Sequence, residues 1–191
     1  MHKPDIQALI FDLDGLVLDT ETTFVQAWQT AALQLGMSLS TAFLQNLSGL
    51  PHGQVQQAIK HYCGAAFDYA RFQQLSGECW REQVKVQGIP VKSGLFQVLQ
   101  VVQEQQLPYC LATNSQAADA IYCLQLAGIY ALFPLLVSRD DVVQPKPPPD
   151  IFLKAAALLE VNIQNCLVLE DSATGVAAAF AATTARWANV V

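Results

Sequence analysis

The sequence has few charged residues and very few basic ones. Charged side chains make up 14% of the 191 residues, and ten Lys and Arg against sixteen Asp and Glu give a formal net charge of −6. This argues against non-specific nucleic-acid binding, because such binding depends on a basic surface that neutralises phosphates. It does not exclude a small anionic ligand, which two or three local cations or one metal ion can hold.

Cysteine motifs and long apolar runs are also missing. The five cysteines are odd in number and form no C-x-x-C pair, so we expect free thiols in a reducing compartment. No segment approaches the roughly 20 apolar residues of a membrane span, and residues 1–7 do not resemble a signal peptide. We therefore expect a cytoplasmic protein that binds neither nucleic acid nor a membrane.

Hydrophobic residues are plentiful and their pattern predicts the fold class. They make up 52% of the chain, which is enough to bury a full core. Ala8–Phe11 form a continuous apolar run, typical of a parallel strand covered on both faces. Short apolar strands alternate with helices in the second half of the chain, which predicts an α/β fold with a Rossmann-like parallel sheet. We place this core at residues 1–16 and 89–191, and an inserted all-helical domain at residues 17–88.

Polar residues follow the predicted strands where each of them ends. They are, in chain order, Asp12, Asp14, Thr113, Asn114, Ser115, Lys146, Glu170, Asp171 and Ser172. Ligands of open α/β sheets bind beyond the carboxyl ends of the strands, so we expect these residues to form one site. Clustered carboxylates repel one another unless a cation relieves them. Carboxylate oxygens without a His or Cys partner suit a hard cation, most simply Mg²⁺.

Such a cluster is suited to phosphoryl transfer. The cation would attract a phosphate, whose oxygens Thr113, the backbone N–H groups after it and Lys146 could hold. One Asp can attack phosphorus while the metal neutralises the developing charge. A second Asp two residues further on can protonate the leaving group and then deprotonate the hydrolytic water.

Four motifs in this order resemble the haloacid dehalogenase-like superfamily. They are Asp12–Glu21 (DLDGLVLDTE), Thr113–Ser115 (TNS), Lys146–Phe152 (KPPPDIF) and Glu170–Val176 (EDSATGV). The resemblance spans residues 6 to about 182. It is greatest to the branch of β-phosphoglucomutase and small sugar-phosphate phosphatases, which carry a helical cap after the first motif. The helical block lies where that branch has its cap.

The resemblance implies a role for each motif residue. Asp12 would be the nucleophile and a Mg²⁺ ligand, and Asp14 the general acid/base, whose backbone carbonyl also binds Mg²⁺. Asp171 would bind the metal directly, and Glu170 would act on it mostly through water. The phosphoryl group would be bound by Thr113, the backbone of Asn114 and Lys146.

Substrate discrimination is expected in the helical block. Related caps carry a substrate-reading loop where this chain has residues 47–52, and Ser48, Gly49 and His52 are the candidates there. β-Phosphoglucomutase-like sequences tend to have basic residues around the equivalent glycine. The flanking residues here are Ser48 and His52, which weakens the mutase interpretation.

The leading hypothesis is a Mg²⁺-dependent phosphatase that hydrolyses a small phosphorylated metabolite, such as a sugar phosphate, through an aspartyl-phosphate. A β-phosphoglucomutase-like phosphomutase is the alternative enzyme. A receiver-like or degenerate phosphate-binding module is the non-catalytic alternative. A 2-haloacid dehalogenase is disfavoured, because that reaction does not need an acid/base at Asp14. We expect a monomer or a weak homodimer.

Overall fold

The structure is a computed structural model that describes residues 5–47, 52–64, 66–183 and 188–190. The chain divides into two compact units. Met1–Asp19 and Pro90–Val191 form the first, and Thr20–Ile89 forms the second.

The first unit is built on a parallel sheet, to which the described residues contribute five strands in the order β3-β2-β1-β4-β5. The strands are β1 (Ala8–Phe11), β2 (Tyr109–Ala112), β3 (Leu136–Val137), β4 (Cys166–Glu170) and β5 (Ala188–Val190). β1 lies in the middle because its apolar run can be covered on both sides. Ala8 and Ile10 belong to one buried cluster, and Leu9 and Phe11 face the opposite side, since side chains alternate along a strand.

Helices connect the strands of this sheet. They are α5 (Leu95–Glu104), α6 (Ala117–Leu126), α7 (Asp150–Leu158) and α8 (Ala173–Ala182). α7 and α8 pack against each other and share the buried cluster of Ala8 and Ile10, to which α7 contributes the fully buried Phe152. The predicted α/β fold with a Rossmann-like parallel sheet is confirmed, and the carboxyl ends of β2, β1 and β4 lie side by side.

Strand β3 is shorter than the segment 133–138 that the hydrophobic pattern favours. Residues Tyr130–Leu132 form a turn of 3-10 helix, and Pro134 has no backbone N–H to give to a strand ladder. Phe133 instead packs edge-on against Phe11, with ring centroids 5.9 Å apart. The result is a two-residue strand at the sheet edge.

The described residues of the second unit form helices. These are α1 (Thr20–Gln34), α2 (Thr41–Gln45), α3 (His52–Cys63) and α4 (Tyr69–Gln87). Phe72 of α4 is 2% exposed and lies among the rings of Trp28, Phe67 and Tyr69. This unit therefore has a hydrophobic core of its own, separate from that of the sheet.

The sequence predicts no membrane span and predicts free thiols at all five cysteines. No helix in the described part of the chain is both long and apolar enough to cross a bilayer. All five cysteines lie in the described ranges and are free thiols, as predicted; Cys63 is partly exposed and the other four are buried.

Candidate active site

The carboxyl edge of the sheet gathers buried polar side chains. Asp12 directly follows β1, and its N–H donates to the carbonyl of Leu169 in β4 (3.0 Å). Thr113 follows β2, Glu170 ends β4, and Lys146 arrives in the loop after β3. All four are at most 6% exposed. Parallel pairing of neighbouring strands, together with the loop after β3, therefore places these residues at one edge of the sheet.

A buried lysine joins two of the carboxylates. Nζ of Lys146 lies 2.5 Å from Oδ1 of Asp12 and 2.7 Å from Oε2 of Glu170. It also lies 4.8 Å from the centre of the Phe152 ring. Burial alone would lower the pKa of Lys146, but the two carboxylates outweigh burial and raise it. Lys146 is thus held as an ammonium ion beside Asp12.

The pKa of the Asp12 carboxyl stays above its usual value despite this lysine. Burial raises the pKa of its carboxyl from 3.8 to about 7, Lys146 opposes the rise, and the negative charge of Glu170 adds to it. A further cation near Asp12 would favour the ionised carboxylate. The environment of Asp12 therefore suits a site that a metal ion completes.

Three carboxylates offer ligand atoms for such an ion. Asp12, Glu170 and Asp171 each have an oxygen within 4.8 Å of the others'. With Lys146 as the neighbouring cation, the group carries a net charge of about −2 when ionised, which matches a divalent cation. Gly15 leaves space for one of these carboxylates. Its φ is +89°, and a Cβ there would overlap the carboxylate of Asp171. The donor set consists only of oxygen and fits Mg²⁺.

Asp14 lies against the loop after β2. Its Oδ2 accepts hydrogen bonds from Oγ of Ser115 at 2.7 Å and from Oγ1 of Thr113 at 3.3 Å. The sequence pattern predicts Ser115 at the site but not as a partner of Asp14. Its position in the TNS motif was the only signal, because the contact with Asp14 spans 101 residues of sequence.

Asn114 contacts the lysine loop through its side chain. Its Oδ1 accepts a hydrogen bond from the backbone N–H of Lys146 (2.9 Å), and its Nδ2 donates to the Lys146 carbonyl (3.2 Å). The predicted role of the Asn114 backbone in phosphate binding remains a prediction.

Glu170 is held by the start of α8. Its Oε1 accepts hydrogen bonds from Oγ (2.6 Å) and from the backbone N–H (3.2 Å) of Ser172. Oγ of Ser172 in turn accepts the N–H of Gly175 and caps the helix. A Cβ at Gly175 would overlap the Glu170 carboxyl group. Ser172 and Gly175 therefore belong to the site; both lie in the fourth motif, whose sequence alone indicates no role for either.

The family model described as haloacid dehalogenase-like hydrolase matches residues 9–188. The chain belongs to this hydrolase family. Fructose-1-phosphate phosphatase of Escherichia coli (strain K12) is 32% identical over 176 residues, which cover 91% of this chain and 91% of the relative. β-Phosphoglucomutase of Bacillus subtilis (strain 168) is 29% identical over 179 residues, which cover 91% of this chain and 78% of the relative.

The fold of the family is also found by superposition. A haloacid dehalogenase family hydrolase from Deinococcus radiodurans R1 superposes with a TM-score of 0.81 at 24% identity, covering 95% of this chain and 79% of the other. The predicted resemblance to the haloacid dehalogenase-like hydrolases, and to their branch of β-phosphoglucomutase and sugar-phosphate phosphatases, is confirmed.

The predicted specificity loop of this family member is only partly described. Ser48 and Gly49 lie outside the described residues. His52 is the first residue of α3, and its side chain also lies outside them. Their part in substrate discrimination remains a prediction.

Proposed function

We propose that the protein is a Mg²⁺-dependent phosphatase that hydrolyses a small phosphorylated metabolite through an aspartyl-phosphate intermediate on Asp12. The observation that carries the proposal is the buried bridge from Asp12 through Lys146 to Glu170, with Asp14 and Asp171 beside it. A fructose-1-phosphate phosphatase among the relatives supports a sugar phosphate as the substrate class.

Asp12 and Asp171 would hold Mg²⁺ directly, together with the backbone carbonyl of Asp14. Bound there, the ion supplies charge neutralisation for the phosphate oxygens. Glu170 already uses Oε2 for Lys146 and Oε1 for Ser172. Because these two hydrogen bonds occupy both oxygens, they support a role for Glu170 beside the metal, through water, rather than as a direct ligand.

The side chains divide the chemistry between them. An oxygen of Asp12 attacks phosphorus, and the bond from phosphorus to the leaving oxygen breaks. Asp14 gives its proton to that oxygen, then takes one from the water that attacks the aspartyl-phosphate, and Asp12 leaves as a carboxylate. Lys146 and Thr113 bind the phosphoryl oxygens, and Lys146 also keeps Asp12 aligned.

A phosphomutase is the second candidate, supported by the similarity to β-phosphoglucomutase. It would use the same nucleophile but return the phosphoryl group to a sugar instead of water. A phosphate-release screen over many metabolites, with and without glucose-1,6-bisphosphate, separates the two. Phosphate release without a bisphosphate identifies the phosphatase, whereas isomerisation that requires the bisphosphate identifies the mutase.

The metal requirement is tested with p-nitrophenyl phosphate. Hydrolysis should stop in EDTA and return with excess Mg²⁺, because the carboxylate group repels phosphate without the ion. Asp171→Asn should weaken Mg²⁺ activation far more than Glu170→Gln, since both oxygens of Glu170 are engaged by other groups. Equal rates with and without EDTA would rule out the proposed metal chemistry.

A further inference from the structure

Lys146 stands in a segment that has almost no backbone donors. Residues 145–149 read Pro-Lys-Pro-Pro-Pro. Proline has no backbone N–H, so Lys146 supplies the only one in these five residues. Such a segment can form few backbone hydrogen bonds: the carbonyl of Pro149 accepts the N–H groups of Phe152 and Leu153 (3.0 and 3.1 Å), and Lys146 is its one donor. The backbone position of Lys146 therefore depends in part on the groups that bind its N–H and its carbonyl.

The side chain of Asn114 binds both. Oδ1 takes the Lys146 N–H and Nδ2 donates to the Lys146 carbonyl, so one amide holds both backbone groups of the residue. Asn114 is half-buried, which limits competition from water. The two residues are 32 positions apart in sequence and belong to loops that follow different strands.

The loop that carries Asn114 is itself anchored. The N–H of Arg139 donates to the carbonyl of Ser115 (3.2 Å), and Oδ2 of Asp140 accepts the N–H of Ala117 (2.8 Å). The loop also closes on itself, since the N–H of Ser115 donates to Oγ1 of Thr113 (3.0 Å). Asn114 therefore links an anchored loop to a segment that has a single backbone donor.

We propose that Asn114 is a positioning residue, whose side-chain amide sets the backbone of Lys146 so that Nζ lies between Asp12 and Glu170. This inference rests on the proposed function, in which Lys146 binds the phosphoryl group. It assigns the Asn114 side chain to the lysine loop, whereas its backbone was expected to contact phosphate. Loss of the amide should release the lysine without removing any group of the phosphate site itself.

The direct test measures how well the Lys146 amine is protected. Its side chain is 3% exposed, so an amine-acylating reagent, mapped by mass spectrometry, should label it slowly. Asn114→Ala should raise labelling at Lys146 about tenfold, because the fraction of time it is released grows when two hydrogen bonds are lost. Labelling of the exposed Lys85 and Lys154 should not change.

Two controls separate this effect from general unfolding. Asn162→Ala removes a hydrogen bond of the same kind, which the N–H of Gln164 donates to Oδ1 of Asn162 (3.0 Å), and should leave Lys146 protected. Cys110 is fully buried in β2 and should stay inert to a thiol reagent in both variants. If Asn114→Ala fails to fold, Asn114→Ser replaces it in the same measurement. Unchanged protection of Lys146 in a folded Asn114 variant would overturn the proposal.

A second measurement connects the position of Lys146 to phosphate. Calorimetric titration with inorganic phosphate in the presence of Mg²⁺ should give a Kd about tenfold weaker for Asn114→Ala than for the wild type and Asn162→Ala. A released lysine with an unchanged Kd would contradict the link to the phosphate site. Failure of the wild type to bind phosphate would instead contradict the proposed function, while the labelling result would still test the role of Asn114.

Discussion

At the scale of single residues, the site depends on a glycine that contributes no side chain. Gly175 lies in the first turn of α8, and the carboxyl group of Glu170 occupies the space where a Cβ would be. Glu170 in turn orients Lys146. A methyl group at Gly175 would therefore disturb the charged bridge from outside, without altering any of its members.

Gly175→Ala should consequently damage activity more than a helical glycine substitution normally does. We expect overpacking to lower the free energy of unfolding by about 1–3 kcal/mol. We also expect kcat/KM for p-nitrophenyl phosphate to fall about tenfold or more, because each 1.4 kcal/mol of lost transition-state stabilisation is a factor of ten. Gly53→Ala is the matched control, because Gly53 also lies in a first helical turn but has open space around it. It should be neutral or stabilising by up to about 1 kcal/mol. Equal behaviour of the two variants would refute the packing argument.

Residue types at strand ends could be predicted from the sequence, but their partners could not. The sequence pattern identifies charged and hydroxyl side chains that follow apolar strands, namely Asp12, Thr113, Lys146 and Glu170. The contact between Ser115 and Asp14 depends on how two loops meet in space. The hydrogen bonds between Asn114 and Lys146 also depend on how two loops meet, so no spacing rule within one segment predicts them.

At the scale of elements, α6 begins without a cap of its own. Its N-cap residue, Gln116, makes no side-chain capping bond. The carboxylate of Asp140, from the short 3-10 turn Arg139–Asp141, accepts the Ala117 N–H instead. The start of α6 and the phosphate-site loop before it are thus braced by a segment that follows β3.

Removing this brace should affect both stability and catalysis. Asp140→Ala should cost about 0.5–2 kcal/mol of unfolding free energy, the usual range for a lost helix cap, and should lower kcat/KM because the Thr113 loop is loosened. Asp68→Ala provides the comparison, since Asp68 caps α4 by accepting the N–H of Arg71 (3.0 Å) in the other unit. It should cost similar stability and leave hydrolysis of p-nitrophenyl phosphate unchanged. If Asp140→Ala changes only the melting temperature, the brace has no catalytic part.

Most elements followed from local patterns, and the exceptions have identifiable causes. The apolar spacing of the sequence predicts one helix over residues 95–104 and another over 117–126, and α5 and α6 have these bounds. β3 does not, because Pro134 interrupts the run and Phe133 is drawn to Phe11 by ring packing. Ring packing of this kind depends on the assembled sheet and is not visible in a short window of sequence.

At the scale of the whole molecule, we propose that the first unit carries out the chemistry and the second selects the substrate. The phosphoryl-site residues identified among the described positions belong to the first unit. Their contacts would be the same for any phosphomonoester, so discrimination between substrates needs other residues. We assign it to the helical unit, the predicted cap domain of residues 17–88.

His52→Ala should therefore change which metabolite is preferred. The expected result is a changed ratio of kcat/KM between the best metabolite and p-nitrophenyl phosphate, with hydrolysis of the latter nearly intact, because so small a substrate depends little on a specificity loop. His61→Ala, on the same helix, is the control and should leave the ratio as it is. A parallel fall for both substrates in His52→Ala would show that the residue supports folding or chemistry instead.

The proposed mechanism requires that Asp12 is the residue that becomes phosphorylated. The most direct measurement is an acid quench during turnover, followed by borohydride reduction, which converts an aspartyl-phosphate to homoserine, and mass-spectrometric mapping of the peptide that contains Asp12. Asp14→Asn should accumulate the intermediate with a substrate that has a good leaving group, since the proton acceptor for hydrolysis is lost. We expect homoserine at position 12 in that variant and none in Asp12→Asn. Turnover by Asp12→Asn, or trapping at another residue, would contradict it.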